Sequence, residues 1–382
     1  MANFTGTYTT NQTANNGDSI TGSITIDSGC TFTISAGATV SATGAYSITV
    51  GTGVLVAVGT ESAPIIMKSS VADPTKNSWT GFVINNAAST ATMTWVKIIS
   101  AATPINISNY TSISISKIWA QNCSGGLTFS KANVSPTITG MIIDNCTSGL
   151  FLTSSGTGTR TLNNFCAING TTLNGALQDV GLTISGLLVR SINCGSNVGL
   201  VYAIAGTLTL QDSYFTSQTA SYLVISNAAS AAVVASRNVF TSILSGIRCA
   251  NATGSFASSF NDFIVGLSPA MVASAASTSA DDYIVGFNGK PDYTIDTTET
   301  GSTQYTAANI TRTNARSTPN KPLSADNISE GAPTANGITI TFDCAAGATS
   351  TYRVDAIPFI EYGTATGVYT MSTMNNFPDD SH

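Results

Sequence analysis

The sequence has little charge. Only 9% of its 382 residues are Asp, Glu, Lys or Arg, against roughly 25% in an average soluble domain, and the formal net charge is −6. A helical bundle needs charged outer faces, and a nucleic-acid-binding protein needs clustered Lys and Arg, so the composition disfavours both classes. Disorder is disfavoured as well, because 42% of the residues are apolar. We therefore expect a β-rich protein with hydroxyl and amide groups on its surface.

Histidine and paired cysteines are also scarce. The one histidine is His382, the last residue, which excludes a histidine-based zinc site or a Ser-His-Asp triad in the core. The seven cysteines stand singly, which predicts buried free thiols rather than a disulfide framework. The first 20 residues lack a basic region followed by an apolar run, and apolar residues nowhere run for 18 positions. The sequence thus predicts neither a secretory signal nor a membrane span.

Apolar residues recur at near-equal intervals, which is the strongest pattern in the chain. The successive intervals are 23, 23, 23, 23, 27, 25 and 23 residues. The marker residues are Val96, Trp119, Ile142, Phe165, Leu188, Phe215, Phe240 and Phe263. Between them apolar and polar residues alternate, as in 113–116 and 208–210, which is the period of a β-strand. A strand repeat of this length predicts a parallel β-helix of about twelve coils over residues 20–290.

Stacking of coils accounts for the composition. Equivalent side chains lie about 4.8 Å apart along the axis, so rows of like charges would repel and rows of Thr, Ser and Asn are favoured. We interpret as such rows the Asn-Cys pairs at 122–123, 145–146 and 193–194 and the N-x-F triplets at 163–165, 238–240 and 261–263. Cys123 and Cys146 would then lie within disulfide range, although we expect free thiols.

A family resemblance follows from the first coils. The stretch 51–60, the strand beginning at Pro64-Ile65 and the motif Trp79-Thr80-Gly81 resemble the opening of right-handed parallel β-helix proteins of the pectate-lyase-like and tailspike-like superfamily. The resemblance covers about residues 20–270 and leaves residues 1–19 as an N-terminal arm. It implies the fold and leaves the activity open, because the family includes polysaccharide lyases, hydrolases, adhesins and bacteriophage tailspikes.

The C-terminal part changes character. Residues 291–335 are Thr- and Asn-rich with four prolines, which predicts a cap and an extended linker. Residues 336–382 alternate again, as in 338–342 and 359–363, and weakly resemble a fibronectin type III-like appendage. They are fewer than the roughly 100 residues of a seven-strand sandwich, so we expect a small β module and a tail. The predicted fold class is all-β: a right-handed parallel β-helix followed by a small β-sandwich-like module.

Carboxylates are the first candidates for chemistry. Glycan-cleaving β-helices carry two or three on one face. The candidates within the repeat are Asp144, Asp179, Asp212 and Asp262. They fall in different rows of the repeat, which predicts turn and surface carboxylates rather than a catalytic pair. The densest acidic group comprises Asp281, Asp282, Asp292, Asp296 and Glu299. It lacks the spacing of a calcium loop, so we expect a solvated cap rather than a metal site.

Basic and aromatic residues are the remaining candidates. Arg237 and Arg248 are half a coil apart and are expected on different faces. Trp79, Trp95 and Trp119 are candidates for a sugar-stacking platform, but their strand patterns favour the core. The sequence therefore predicts no catalytic, metal-binding or cofactor-binding residue, and no cofactor.

These observations, with the resemblance, favour a non-enzymatic bacteriophage virion surface protein: a decoration, fibre or spike component made in the host cytoplasm. The expected partners are other virion proteins, host-surface glycans and further copies of the chain, as a trimer by resemblance to phage β-helices. Nucleic acid and a membrane span are not expected. Two alternatives stay open, a tailspike-like glycan depolymerase and a bacterial surface adhesin.

Overall fold

A computed structural model gives the architecture. It describes residues 1–72, 74–129 and 135–147 and, beyond these, the strands given below with the short turns between some of them. Every regular element in this described part is a β-strand. The prediction of an all-β parallel β-helix is confirmed at the level of a parallel β-solenoid, while its right-handed sense stays a prediction.

The strands are short. Those of the opening coils are β1 Asn3–Tyr8, β2 Gln12–Ala14, β3 Ser19–Ile26, β4 Thr31–Ile34, β5 Thr39–Ala42, β6 Ser47–Val50, β7 Val54–Val58, β8 Ile65–Ser69 and β9 Gly81–Asn85. The next coils contain β10 Thr90–Ile99, β11 Ile105–Asn109, β12 Ser112–Gln121, β13 Leu127–Phe129, β14 Thr137–Asp144, β15 Phe151–Leu152, β16 Thr159–Ile168, β17 Gly175–Leu177, β18 Gly181–Arg190 and β19 Gly199–Ala203.

Later strands follow the same order. They are β20 Gly206–Gln211, β21 Tyr214–Ser217, β22 Tyr222–Ser226, β23 Ala231–Ser236, β24 Val239–Ser242, β25 Ile247–Cys249, β26 Ser255–Ser259, β27 Asp262–Ile264, β28 Met271–Ala273, β29 Ser277–Ala280, β30 Tyr283–Ile284 and β31 Ile310–Thr313. The last four are β32 Ala325–Glu330, β33 Ile340–Cys344, β34 Ile360–Ala365 and β35 Val368–Thr373.

Parallel pairing joins equivalent strands of successive coils. From β10 it runs through β12, β14, β16 and β18, and then along the split pairs β20/β21, β23/β24, β26/β27 and β29/β30, in steps of 21 to 26 residues. These steps make about eight regular turns. β1 to β9 precede them in the same 26-stranded sheet, and β17, β19, β22, β25 and β28 form a second parallel sheet.

Alternation of residues decides which side chains fill the core. In β10, Ala91 and Met93 are fully buried, whereas Thr90, Thr92 and Thr94, which alternate with them, are half-buried on the outside. Because successive side chains of a strand point to opposite faces, each coil contributes one inward set of apolar residues. Burial of these residues supplies the main stabilisation, at roughly 25 cal/mol per Å².

Each turn bends at a residue with positive φ. In β10 and β12 these corner residues are Trp95 (φ 53°) and Lys117 (φ 54°). The corner row continues through Gly140, Asn164, Gly186, Asp212, Arg237 and Phe260. A positive φ is uncommon for bulky residues such as Trp95 and Phe260, so its recurrence once per coil means that the stacked neighbours impose it. The corner divides the outside of each coil into two faces.

The marker residues of the sequence repeat come from three adjacent rows rather than one. Trp119 pairs with Ile142, but Val96 pairs with Ile118 and Ile142 pairs with Cys166. Each segment contains neighbouring apolar positions, and one apolar residue per segment gives equal intervals even where the residues come from different rows. The period is right to within a few residues, and the inward register for Trp119 is wrong.

The two ends differ from the expected boundaries in detail. β1 and β2, inside the predicted N-terminal arm, pair in parallel with β3 and β4. β31, inside the predicted cap and linker, pairs in parallel with β29. Toward the C-terminus, β32 pairs antiparallel with β33 and β34 antiparallel with β35. A sandwich-like module formed from these strands stays a prediction.

Candidate functional site

Two tryptophans and two lysines form a crossed arrangement on the outside of adjacent coils. β10 carries Trp95-Val96-Lys97, and β12 carries the reverse order, Lys117-Ile118-Trp119, one turn later. The register therefore places Lys97 beside Trp119 and Lys117 beside Trp95. The Lys97 Nζ lies 3.8 Å from the centre of the Trp119 ring, and the Lys117 Nζ lies 4.7 Å from that of Trp95. We call these four residues the Trp–Lys face.

The corner geometry creates this face. Trp95 and Lys117 occupy the positive-φ positions, so their side chains project from the edge between two outer faces. Val96 and Ile118, the residues between the aromatic and the lysine, are buried with 1% exposure each. Burial of these central residues fixes the flanking side chains outward. An ammonium group over an indole ring contributes about 0.5–1 kcal/mol at exposed sites and more where it is desolvated.

Polar groups of neighbouring coils extend the Trp–Lys face along the axis. The Gln121 Nε2 donates to the Asp144 Oδ2 at 3.1 Å, and these two residues lie opposite each other in β12 and β14. The Lys76 Nζ donates to the Asn145 Oδ1 at 3.2 Å, from the connection between β8 and β9. Partial burial lowers the pKa of Lys97, and the negative charge of Asp144 opposes that shift. Lysine, amide and carboxylate groups are thus within reach of one bound molecule.

The three tryptophans do not share one environment, which corrects the prediction that all three fill the core. Trp79 is buried with 1% exposure, and its Nε1 donates to the Ile99 carbonyl at 2.8 Å. Trp95 and Trp119 are half-buried on the outside. The Trp119 Nε1 is shielded from solvent and has no hydrogen-bond partner among the described residues.

The sequence contained a signal that would have identified the Trp–Lys face. The reversed tripeptides Trp95–Lys97 and Lys117–Trp119 are separated by one turn of 22 residues. Stacking such tripeptides in register must pair each aromatic with a lysine. The tryptophans alone do not reveal this pairing, so Lys97, Lys117, Lys76 and Gln121 were not predicted as site residues.

The three described candidate carboxylates lie in different rows, as predicted, but Asp262 is fully buried, so the expectation of a surface carboxylate is wrong for this residue. Asp144 lies opposite Gln121, Asp262 lies opposite Val239, and Asp212 occupies the corner row. Asp212 accepts two hydrogen bonds from Arg237, at 2.6 Å from Nε and 2.7 Å from Nη2, in a bidentate ion pair. Asp179 lies outside the described residues.

The acidic group near the end of the solenoid is represented by Asp282 alone in the described structure. Asp282 is fully buried, so the expectation of a solvated cap is wrong for this residue. Its Oδ1 accepts from the Asn261 backbone N–H at 2.8 Å, and its Oδ2 accepts from the Ser279 hydroxyl at 2.7 Å. The other four members, Asp281, Asp292, Asp296 and Glu299, lie outside the described residues. Within the described part of the chain, no three His, Cys, Asp or Glu side chains are arranged to hold a metal ion.

The two arginines, and the four cysteines whose side chains are described, agree with their predicted placement. Arg237 lies at the corner of the main sheet, whereas Arg248 lies in β25 of the second sheet. Cys123 and Cys146 are buried free thiols in adjacent coils. Hydrogen bonding between the two thiols and burial raise the pKa of Cys123. Of the Asn-Cys rows, Asn145 Nδ2 donates to Asn122 Oδ1 at 3.4 Å. The pair at 193–194 lies outside the described residues.

Comparison with known proteins gives one match. The family described as a pectate-lyase-like beta helix domain matches residues 6–112, which include the opening coils and the Trp79-Thr80-Gly81 motif. No curated protein matches the chain, and no solved structure matches it. The described residues contain no long apolar helix of the kind that spans a membrane. The N-terminal coils are therefore similar to a pectate-lyase-like β-helix, in agreement with the parallel pairing observed there.

Proposed function

We propose that the protein is a non-enzymatic surface component of a bacteriophage virion, a fibre, spike or decoration protein that acts as a rigid attachment rod. The observation that carries this proposal is the continuous parallel pairing from β1 to β31. Pairing of one coil on the next leaves open strand edges only at the two ends of a solenoid, which favours rigidity and resistance to proteases. A pectate-lyase-like β-helix fits a tailspike or another surface protein.

Adhesion would use the Trp–Lys face. Indole rings stack on the C–H faces of sugars, and ammonium groups bind carboxylates and hydroxyls of glycans. In a chain with only 14 Lys and Arg, three lysines gather here: Lys76, Lys97 and Lys117. This concentration of cations supports host-surface glycans as the partner. Other virion proteins and two further copies of the chain are the remaining proposed partners.

Distances between the candidate carboxylates Asp144, Asp212 and Asp262 favour adhesion over cleavage, and Asp282, one coil beyond Asp262, is fully buried like it and out of reach of a glycan. Paired catalytic carboxyl groups of glycosidases lie about 5–9.5 Å apart. Asp144 and Asp212 are separated by three coils, or about 14 Å along the axis, and Asp212 and Asp262 by two coils, or about 10 Å. The ion pair with Arg237 also gives Asp212 a structural role.

The test combines binding with product analysis. Purified protein is incubated with host capsule and lipopolysaccharide, and new reducing ends are measured beside binding to intact cells. We expect binding without release of sugar, and we expect Trp119→Ala and Lys97→Ala each to weaken binding at least fivefold. Tyr8→Ala, a half-buried aromatic in the first coil, serves as the control. Release of oligosaccharide would contradict the non-enzymatic role. Absence of labelling on bacteriophage particles in immunoelectron microscopy would contradict the location in a virion.

A further inference from the structure

A second outer face, on the other side of the corner, is built almost wholly of hydroxyl residues. It consists of two columns of outward side chains in the strands β10, β12, β14, β16, β18 and β20. The first column is Thr92, Ser114, Thr137, Thr161, Thr183 and Thr209, and the second is Thr94, Ser116, Thr139, Asn163, Ser185 and Gln211. We call these twelve residues the Thr/Ser face. None of them is charged.

The Thr/Ser face is regular in two directions. Along the axis its members are paired in register without a bulge in these six described strands, so they repeat at about 4.8 Å. Along each strand the two columns are two residues apart, or about 6.6 Å. The stacked side chains also bond to one another, as the Ser116 hydroxyl does to the Thr94 hydroxyl at 3.1 Å.

Core packing holds the Thr/Ser face in this orientation. The residues that alternate with it, among them Met93, Ile115 and Ile138, are buried with 0–3% exposure, whereas all twelve members are exposed or half-exposed. Threonine is β-branched, and its χ1 is restricted, so most hydroxyl and methyl positions are fixed before anything binds. Rows of side chains also keep a stacked sheet flatter than an ordinary twisted one.

We propose that the Thr/Ser face binds the surface of ice crystals. A charged ligand finds no complementary charge on it, and a flexible glycan or peptide repeats in one direction only. A crystal lattice repeats in two directions and can therefore match both spacings of the Thr/Ser face. The oxygen atoms on faces of hexagonal ice recur in two directions at distances of this order. Hydroxyls hydrogen-bond lattice water, and the threonine methyls order the water between them without the tightly held shell that a charge would keep.

Ice-binding activity of the full chain tests this inference. Thermal hysteresis and inhibition of ice recrystallisation are measured at micromolar concentration. We expect both activities in the native protein, and we expect Thr161→Lys, at the centre of the first column, to reduce the hysteresis at least fivefold. The matched control is Thr128→Lys, an outward threonine of β13 on a different side of the solenoid, which retains activity. Circular dichroism and the melting temperature verify that both variants are folded.

Other outcomes overturn the inference. A native protein without hysteresis or recrystallisation inhibition excludes ice as the ligand, and equal loss in Thr161→Lys and Thr128→Lys excludes this face. Sedimentation of the protein with crystalline cellulose or chitin, without ice activity, reassigns the face to another lattice. Trp119→Ala, on the other side of the corner, retains ice activity. The ice assay therefore fails or succeeds independently of the glycan-binding test.

Discussion

One buried row of the solenoid is apolar in the early coils and polar in the later ones. The residue that follows each corner is Val96, Ile118, Met141 and Phe165 in successive turns from β10 to β16. In the later turns the same row contains Ser213, Asn238, Asn261 and Asp282. All eight side chains are 0–1% exposed. The same position in the fold is therefore filled either by dispersion contacts or by hydrogen bonds.

The backbone explains why both solutions are stable. In the early turns a single strand, such as β10 or β12, continues through the corner, and pairing resumes directly after it. In the later turns the strand is split at the corner, and a side chain replaces the missing backbone acceptor. The Asn238 Oδ1 accepts from the Ser213 N–H at 3.0 Å, and the Asn261 Oδ1 accepts from the Asn238 N–H at 2.8 Å. Polar residues in the core thus accompany the broken ladder, where the backbone supplies partners for them.

Removal of one amide from the buried row in the later, polar coils is expected to lower the free energy of unfolding most. In Asn261→Leu, the backbone N–H and the side-chain amide of Asn238 lose their common acceptor, and both stay buried. A buried unsatisfied group costs about 1–3 kcal/mol, so the variant should lose about 3–5 kcal/mol of unfolding free energy. Urea unfolding followed by circular dichroism measures the loss. Asn163→Leu, which changes an outward, half-buried asparagine of β16, is the control and should lose less.

The reverse exchange in the apolar half should cost about 3 kcal/mol. Ile118→Asn removes an apolar side chain and buries an amide where the strand ladder already satisfies the neighbouring backbone. Ile118→Val, which removes one methylene, should cost about 1 kcal/mol. If Ile118→Asn were as stable as Ile118→Val, the early coils would accept a buried amide as readily as the later coils do. The proposed difference between early and later coils would then be wrong.

The sequence predicted the fold because a solenoid is a local repeat. Alternation of apolar and polar residues identifies strands, and a spacing of about two dozen residues identifies the coil, so the strand type and parallel pairing followed from pattern alone. The exact register did not follow, since adjacent apolar positions such as Ile118 and Trp119 are equivalent in any count of hydrophobic residues. One residue of slip moves a side chain to the opposite face.

The candidate site was less accessible to prediction for a different reason. Lys97 and Trp119 are far apart in sequence and meet only because the register stacks them. Asp282 looked like a member of an exposed acidic group, because its hydrogen bonds with Asn261 and Ser279 become visible only when two successive coils are aligned. Contacts between coils depend on the exact step length, which varies between 21 and 26 residues in the regular turns.

The outward position of Trp119 predicts a small effect beside the buried row. Trp119→Ala should cost about 1–2 kcal/mol, because it removes the contact with the Lys97 ammonium and part of a half-buried surface. Trp79→Ala should cost about 3–5 kcal/mol, because Trp79 is buried and its loss leaves a cavity. Melting curves of the two variants measured side by side check the difference. Equal losses of stability would mean that Trp119 is packed in the core as Trp79 is.

The smallest expected effect is a pH dependence confined to the polar half. Burial raises the pKa of Asp282 above its ordinary value, against the opposing effect of hydrogen bonds from Ser279 and Asn261. Between the ordinary and the raised pKa the folded state holds a proton that the unfolded state has lost, so this residue contributes stability below that window and loses it as the pH rises through it. Asp282→Asn keeps an acceptor for the Asn261 N–H and removes the titration. From pH 4 to pH 7 the urea midpoint of Asp282→Asn should therefore rise more, or fall less, than that of the native protein, because the other carboxylates contribute equally to both. If the stability of the two proteins changed in the same way with pH, burial of the Asp282 carboxylate would not disfavour its charged form.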